Sequence, residues 1–336
     1  MRVTVICTVL DEAESIRRLL ESLCTQTRPP DEVLIVDGGS HDGTVDAIQG
    51  YAGRLPVRLL VAPGSNISQG RNLAAGAASG DVIASTDAGV RLEPSWLERL
   101  VAPLAADLDC AVVAGFFVAD PTTPFEVAMG ATVLPALEEV DPATFLASSR
   151  SIAFRKTAWA AAGGYPEWLD YCEDLIFDLR LRSTAGEAAW APGAIAHFRP
   201  RSSLGAFFKQ YYRYARGDGK AGLWGKRHAI RYITYLLVLP GLLAVAARRP
   251  WLGLGLLLAG GAAYCARPYR RLRRCLPCLA PGERAQVLLL VPIIRVTGDL
   301  AKMLGYPMGL RWRLRNRRQP AIHWHEARKR NRDGTS

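Results

Sequence analysis

The sequence predicts an α/β protein, with a mostly parallel sheet flanked by helices, plus a C-terminal α-helical membrane region. Two observations predict this. Short β-branched runs alternate with helix-periodic segments through the first half of the chain, and two apolar runs follow after residue 229. A chain of 336 residues that is 49% hydrophobic and 22% charged can bury a sizeable core and is not disordered.

The β/α alternation begins at the N-terminus. Arg2 to Val9 is a β-branched run, and Ile16, Leu19, Leu20 and Leu23 then recur at helical spacing. The buried strands "EVLIVD" and "DVIAST" follow, separated by helix-like segments, and Pro94 lies in the first turn of the next predicted helix. This alternation is typical of a parallel sheet with helices on both faces.

Acidic residues follow three of these strands. Asp11 and Glu12 come after the first, Asp37 after the second, and Asp87 after the strand "DVIAST". In parallel sheets ligands bind outside the carboxyl ends of the strands. Four acids at one edge indicate a cation, a base-and-sugar ligand, or both.

The two apolar runs, Tyr232–Ala247 and Trp251–Ala266, are each long enough for a helix of roughly 24 Å, slightly short of a ~30 Å hydrocarbon core. They predict a hairpin over residues 232–266 that either spans or re-enters the bilayer. A third apolar stretch is broken by Pro292 and by charges, which favours an interfacial helix over about 284–305. A soluble hydrophobic appendage is the alternative.

Basic residues crowd the last third of a chain whose net charge is +11. Because the basic runs adjoin the apolar stretches, they predict a membrane surface as partner, and no nucleic acid. By the positive-inside rule, the flanking arginines place both chain ends in the cytoplasm. We therefore expect a catalytic domain over 1–225, membrane-associated helices over 226–310 and a basic cytoplasmic tail over 311–336.

Five ordered segments carry a resemblance to a known family. They are "VICTVLDEAESI", "EVLIVDGGSHDGTVDAI", "STDAGVRLEPSWLERL", "AFRKTAWAAAGGYPEWLDYCEDLIFDLRL" and "FKQYYRYARG". Together, over about residues 3–217, they resemble the family 2 glycosyltransferases. This resemblance implies the GT-A fold, transfer with inversion of configuration at the anomeric carbon of the sugar, and association with a membrane. Asp11 stands where Asn is common, Tyr214 where Trp is usual, and Gly89 where a further acid is usual.

The resemblance implies a nucleotide site. Asp37 takes the position of the family's nucleobase contact, and Thr8, Leu10 and Glu12 frame the same pocket. Arg71 faces this edge and can pair with phosphate. Asp37 also has a purely structural explanation, as the cap of the turn before the helix at Thr44.

The resemblance also implies the reacting groups. Asp87 holds Mg²⁺ or Mn²⁺ and touches the nucleotide diphosphate, and without an acid at position 89 it does so alone. Asp174, next to Glu173 at a helix start, is the expected general base. Gln210, Arg213 and Tyr214 resemble the family's acceptor and diphosphate segment.

The sequence therefore predicts an inverting glycosyltransferase, hexosyl or related, of the cell membrane, with its catalytic domain facing the cytoplasm. Its donor is a UDP- or GDP-type nucleotide sugar and its acceptor a lipid-linked or cell-envelope glycan. A processive polysaccharide synthase, a catalytically silent nucleotide-sugar-binding scaffold and a nucleotidyltransferase are the alternatives. Two short apolar helices argue against a polymer channel, and the retained acids argue against a silent scaffold.

Overall fold

The protein, seen here in a computed structural model that describes residues 1–324, forms two compact units. The first comprises Met1–Asp120, Leu137–Arg199 and residues 319–324, and the second comprises Pro121–Ala136 and Pro200–Arg318. Residues 121–136 and 200–225, which the sequence analysis places in the catalytic domain, thus belong to the second unit. The last twelve residues of the predicted basic tail, 325–336, lie outside the described residues.

One eight-stranded sheet organises the first unit. Its strands are β1 (Val3–Val9), β2 (Glu32–Asp37), β3 (Val57–Val61), β4 (Val82–Ser85), β5 (Val90–Leu92), β6 (Val112–Ala119), β7 (Ile152–Arg155) and β8 (Ala189–Phe198). They lie in the order β3-β2-β1-β4-β7-β6-β8-β5. The first four are parallel, whereas β7 runs antiparallel to both neighbours and β5 antiparallel to β8. The predicted α/β class is confirmed, with a sheet that is mixed.

Twelve α-helices occur among residues 1–324. They are α1 (Ser15–Cys24), α2 (Thr44–Gln49), α3 (Ile67–Ala77), α4 (Trp96–Ala106), α5 (Pro124–Val133), α6 (Lys156–Ala161), α7 (Glu173–Ala185), α8 (Leu204–Ala221), α9 (Gly225–Ile233), α10 (Leu239–Arg248), α11 (Pro250–Leu272) and α12 (Pro281–Arg315). Helices on both faces of the sheet bury it in two apolar layers. In α1 the predicted stripe from Ile16 to Leu23 is buried, because residues three and four apart share one helix face.

Strand register brings the chemistry-bearing loops together. Val9 pairs with Asp37 and Ile6 with Ser85, so β1, β2 and β4 end at the same edge of the sheet. The acids that follow these strands therefore lie at one edge, as the alternation predicts.

The second unit is helical and is built on close contact between α8 and α12. A Cβ added at Gly305 would lie 2.2 Å from the Tyr212 carbonyl oxygen, and one at Gly309 would lie 2.1 Å from the Arg216 carbonyl oxygen. Only glycine allows the two backbones to approach this closely. An apolar core joins α5, α8, α11 and α12, with Phe207 completely buried in it.

One helical stretch among the described residues, Gly225–Arg248, is long and apolar enough to cross a membrane, and none of its most apolar part is buried. It contains the first predicted apolar run and includes a π-helical turn at Thr234–Val238. That turn comes just before Pro240, which cannot donate a backbone hydrogen bond. The second run lies in α11, which packs on α10 so closely that a Cβ at Gly253 would meet Ala246.

The predicted interfacial helix is part of a longer element. The helix α12 runs from Pro281 to Arg315 and includes both Pro292 and Pro307. It therefore extends beyond the predicted bounds of about 284–305 and into the first residues of the predicted basic tail. Buried residues recur along its whole length, so packing within the second unit supports it across both prolines.

We expect the Gly309→Ala variant to lower stability by about 1–3 kcal/mol, because the added Cβ would press on the α8 backbone, which cannot yield as a side chain can. The matched control is Gly282→Ala in the same helix, where nothing lies within 4 Å of the added atom. Thermal unfolding in detergent measures both. Equal melting temperatures for the two variants would contradict the proposed tight helix crossing.

Candidate active site

Asp37, at the end of β2, is buried and stabilises the turn that follows the strand. Its carboxylate accepts hydrogen bonds from the backbone N–H groups of Gly39 at 3.1 Å and Ser40 at 3.0 Å, and from the Ser40 hydroxyl. The structural explanation for Asp37 is therefore present in the fold. A carboxylate has about four acceptor positions, so the same group retains capacity for a ligand donor.

The loops after β1 and β2 are tied together by polar contacts. The Asp11 backbone N–H donates to the Ser40 hydroxyl, and the His41 N–H donates to the Asp11 carboxylate, each at 2.9 Å. The Glu12 N–H donates to the Thr44 hydroxyl at 2.8 Å. These bonds hold Asp11 at φ 53°, a left-handed conformation that costs energy in a residue other than glycine.

The remaining predicted pocket residues lie on or just after β1. Thr8 is half-buried, and Leu10 is exposed in the loop that follows. A Cβ at Gly70 would lie 2.7 Å from Thr8 Cγ2, so α3 approaches the end of β1 through a glycine. This close approach brings Arg71 of α3 to the same edge of the sheet.

Arg71 is almost completely buried and bridges two carboxylates. One terminal nitrogen lies 2.8 Å from Asp87 Oδ1, and the other lies 2.8 Å from Glu173 Oε1. The guanidinium also lies over the Tyr165 ring at 5.3 Å. Arg71 thus joins the end of β4 to the start of α7. A phosphate contact by Arg71 remains a prediction, and it would compete with these two carboxylates.

Arg150 supplies a second positive charge that the sequence analysis did not identify. Its Nε lies 3.3 Å from Asp87 Oδ2. Its guanidinium lies 4.7 Å from the centre of the Phe198 ring and donates to the Ser148 hydroxyl at 3.0 Å. Both oxygens of Asp87 therefore contact guanidinium groups.

The three acidic side chains of the site differ in how readily they take up a proton. Burial raises the pKa of Asp87, but the charges of Arg150 and Arg71 outweigh burial and leave this pKa below its ordinary value. Burial and the charge of Asp174 raise the pKa of Glu173 to about 7, although Arg71 opposes the shift. Burial likewise raises the pKa of Asp174. The Asp87 carboxylate therefore stays ionised, whereas Glu173 and Asp174 take up a proton more readily than ordinary carboxylates.

The start of α7 is held in an unusual backbone conformation. Cys172, directly before Glu173, adopts φ 66° as the N-terminal cap of the helix. Non-glycine residues in this region persist only where the surrounding structure enforces them, and such residues concentrate at functional sites. The conformation of Cys172 therefore fixes the direction in which α7 begins, and with it the backbone positions of Glu173 and Asp174.

A loop beside α7 is fixed by Asn72, the neighbour of Arg71. The Asn72 amide donates to the Tyr165 carbonyl at 2.9 Å and accepts from the Tyr165 N–H at 2.8 Å. Gly163 and Gly164 both have positive φ, and a Cβ at Gly164 would lie 2.6 Å from Asn72 Oδ1. The paired glycines therefore let this loop close on α3.

The fit of a divalent cation depends on Asp87. Its ionised carboxylate is of the type that Mg²⁺ and Mn²⁺ prefer. Within residues 1–324 no group of three or more His, Cys, Asp or Glu side chains is arranged to hold a metal. Gly89 contributes no ligand, although nothing lies within 4 Å of a Cβ added there. A cation therefore fits only with a single carboxylate from the protein and with the rest of its oxygens from a ligand or water.

The predicted acceptor segment lies on α8, in the second unit. There the Gln210 side-chain amide donates to the Tyr214 hydroxyl at 2.9 Å, and Tyr214 packs edge-on against Tyr211. Arg213 lies on the same helix. The contribution of Gln210, Arg213 and Tyr214 to the site remains a prediction.

Residues 4–158 match the family described as Glycosyl transferase family 2. Glycosyltransferase AglE of Haloferax volcanii is 26% identical over 231 residues, which cover 64% of this chain and 72% of that protein. The glucosyl-dolichyl phosphate glucuronosyltransferase of the same organism is 34% identical over 120 residues, covering 34% of this chain and 38% of that protein. The chain spans only about a third of the length of most curated relatives it matches.

A solved structure shows the same fold. The mannosyltransferase PcManGT from Pyrobaculum calidifontis, in complex with GDP-Man and Mn²⁺, superimposes with a TM-score of 0.60 at 20% identity, covering 90% of this chain and 87% of that chain. This likeness confirms the predicted GT-A fold.

We expect Asp178→Asn to stabilise the protein at alkaline pH. Asp178 is buried one turn beyond Asp174, its Oδ2 has no hydrogen-bond partner, and burial raises its pKa well above the ordinary value. A carboxyl whose pKa is raised by folding contributes stability that is lost as pH rises through the raised pKa. Asparagine removes that loss, so we expect a gain of about 1–3 kcal/mol at pH 8 that shrinks towards pH 5.

Melting temperatures at pH 5 and pH 8 measure this effect, with Asp109→Asn on an exposed turn as the control. Asp174 raises the pKa of Asp178 and Arg182 lowers it, so both side chains stay unchanged in the experiment. A variant that is less stable than the parent at pH 8 would show that the Asp178 carboxylate is needed in its charged form.

Proposed function

Because this chain belongs to glycosyltransferase family 2 through residues 4–158, we propose that it transfers a sugar from a nucleotide-diphosphate donor, with inversion, to a lipid-linked or cell-envelope glycan acceptor. The observation that carries this proposal is the edge where Arg71 joins Asp87 to Glu173, with Asp174 beside it. Arg71 thus links the ionised carboxylate of Asp87 to the proton-accepting pair Glu173 and Asp174.

The donor nucleobase would lie against Asp37. This buried carboxylate already accepts from its own turn, and its remaining lone pairs suit the ring N–H groups of uracil or guanine. Thr8, Leu10 and Glu12 belong to the strand and loop beside it. The same arrangement serves a UDP or a GDP donor.

The leaving diphosphate needs positive charge as the glycosyl bond breaks. Arg150 contacts the Asp87 carboxylate and could exchange it for a phosphate group of the donor. Guanidinium groups bind carboxylates and phosphates alike, through paired N–H donors. Asp87 would hold Mg²⁺ or Mn²⁺, which supplies positive charge to the diphosphate without proton transfer. The PcManGT complex with GDP-Man and Mn²⁺ supports this choice of metal.

Asp174 would accept the proton of the attacking acceptor hydroxyl. Its raised pKa makes it a stronger base than an exposed aspartate, and Glu173 is tied to Arg71 and so fixes the first turn of α7. Direct attack by the activated hydroxyl inverts the anomeric carbon in one displacement. The protein then needs no nucleophile of its own.

Attachment of the protein to a membrane would bring the site to a lipid-linked acceptor. The stretch Gly225–Arg248 is a candidate membrane span by its length and apolar composition. A relative is named as acting on glucosyl-dolichyl phosphate, a lipid-linked sugar. The basic segments beside the apolar helices favour a cell-membrane location with the catalytic unit on the cytoplasmic side.

We expect Asp174→Asn to lower kcat by at least about a hundredfold, since general-base catalysis contributes on the order of 10²–10⁴. Affinity for UDP or GDP should stay within about twofold of the parent, because the change is isosteric and lies outside the nucleotide pocket. Transfer from a panel of nucleotide sugars to membrane acceptors, together with calorimetric binding of UDP and GDP, measures both quantities. Full activity in Asp174→Asn would exclude Asp174 as the base.

A second variant, Gly89→Asp, tests the metal assignment without measuring turnover. The open space at Gly89 accepts a side chain, and a second carboxylate near Asp87 should tighten Mn²⁺ binding about tenfold or more in the presence of UDP or GDP. Gly89→Asn is the uncharged control, and Asp87→Asn should abolish binding. Free Mn²⁺ measured by electron paramagnetic resonance gives the affinity. Unchanged affinity in both Gly89→Asp and Asp87→Asn would place the metal elsewhere.

A further inference from the structure

Two cysteines lie in the turn that joins α11 to α12. Cys275 and Cys278 have the spacing C-x-x-C, and both are exposed and unbridged. The chain has seven cysteines, all of them within residues 1–324. The other five are either buried or half-buried: Cys7, Cys172 and Cys265 are buried, and Cys24 and Cys110 are half-buried. A reagent in solution therefore reaches Cys275 and Cys278 more readily than any other thiol of the protein.

The backbone of this turn brings the two cysteines close together. Leu276–Cys278 is a short 3₁₀-helix, and the Cys278 N–H donates to the Cys275 carbonyl oxygen at 3.1 Å. Residues three apart in a 3₁₀-helix are eclipsed, and a rise of about 2.0 Å per residue separates their Cα atoms by about 6 Å. Disulfide bonds join cysteines whose Cα atoms are about 4.4–6.8 Å apart. The turn therefore already has a backbone geometry that permits a disulfide.

The surroundings hold the turn in this shape. Arg284 of α12 donates from Nε to the Leu279 carbonyl oxygen at 2.8 Å and from a terminal nitrogen to the Pro277 carbonyl oxygen at 3.2 Å. Leu276 and Leu279 pack against the apolar core of the second unit. Pro277 also has a fixed φ, which restricts the chain between the cysteines. A bond between the two thiols would therefore order little more of the chain, so each thiol has a high effective concentration at the other.

The two thiols also interact electrostatically. Burial and the charge of Cys278 raise the pKa of the Cys275 thiol, whereas the neighbouring Arg274 lowers this pKa. Two thiolates at this distance repel each other, and a bond between their sulfur atoms removes the repulsion. The pair is therefore better suited to a disulfide than to two separate anions.

We propose that Cys275 and Cys278 form a site of reversible oxidation, where a low-molecular-weight disulfide such as glutathione disulfide converts the two thiols into an intramolecular disulfide. One protein thiolate attacks a sulfur atom of the small disulfide, which forms a mixed disulfide and releases one small thiolate. The second protein thiolate then attacks the protein sulfur atom of the mixed disulfide, closes the Cys275–Cys278 bond and releases the second small thiolate. In total the two protein thiols lose two protons and two electrons, and the small disulfide takes up both and leaves as two thiols. Because the bond is exposed, excess small thiol reverses both steps.

The test incubates the full chain, in a mild neutral detergent, with micromolar glutathione disulfide and identifies the products by intact mass and peptide mapping after acid quenching. We expect the parent to lose two hydrogen atoms within a peptide that contains both cysteines. Each single variant, Cys275→Ser or Cys278→Ser, should instead accumulate the mixed disulfide with glutathione, to a level at least about tenfold above the parent. In the parent the second thiol acts at an effective concentration in roughly the millimolar range, so it displaces glutathione before micromolar free glutathione can add again.

The matched control is Cys24→Ser/Cys110→Ser, which removes the two half-buried thiols and should oxidise as the parent does. Excess dithiothreitol should return the oxidised parent to its original mass. If the mixed disulfide accumulates in the parent as it does in the single variants, the proposal is wrong, because the second thiol then does not reach the first. A disulfide that joins two copies of the chain, or the absence of any reaction at the pair, would overturn the proposal as well.

This site is independent of the proposed transfer reaction, because neither cysteine is among the residues of the candidate active site. Asp174→Asn should oxidise as the parent does, whatever its effect on turnover. Failure of the glycosyltransfer assay would therefore leave the oxidation site unaffected, and loss of the oxidation site would leave the proposed chemistry unaffected.

Discussion

The buried guanidinium of Arg71 is the constraint on which the candidate site depends. It pairs with Asp87 at the end of β4 and with Glu173 at the start of α7, and it is almost completely removed from water. Burying such a charge is costly unless its partners are held in good geometry. The sheet edge and α7 must therefore keep their positions for Arg71 to remain paired, and this fixes the distance between Asp87 and Glu173.

The same network divides the acids into two kinds. Asp87 faces two arginines and stays ionised, as a ligand of a cation or a partner of Arg150 must. For Glu173 and Asp174 the nearby arginine charge does not outweigh burial, so the pKa of both carboxyl groups is raised. One part of the site is thus suited to stabilising negative charge on a leaving group, and the other is suited to accepting a proton.

Sequence patterns predicted the elements whose signal is local. The β-branched runs and the acids that follow them indicated the parallel strands and the edge that carries Asp37 and Asp87. A strand was expected at the position of β7, but its antiparallel direction was not, because its pairing with β4 and β6 joins segments far apart in the chain. Arg150 was missed because a lone arginine before a strand has no periodic signature. The prolines of α12 suggested a break, whereas packing within the second unit sustains one helix.

A double-mutant cycle on Arg71→Met and Glu173→Gln tests the central interaction most directly, with free energies of unfolding from denaturant titration of the full chain in detergent. We expect Arg71→Met alone to lower the free energy of unfolding by about 3–5 kcal/mol, because it removes the guanidinium partner of buried carboxylates. The double variant should then be less destabilised than the sum of the single variants by about 1–3 kcal/mol. Additive effects, within about 0.5 kcal/mol, would contradict the account, because they would mean that Arg71 and Glu173 contribute independently.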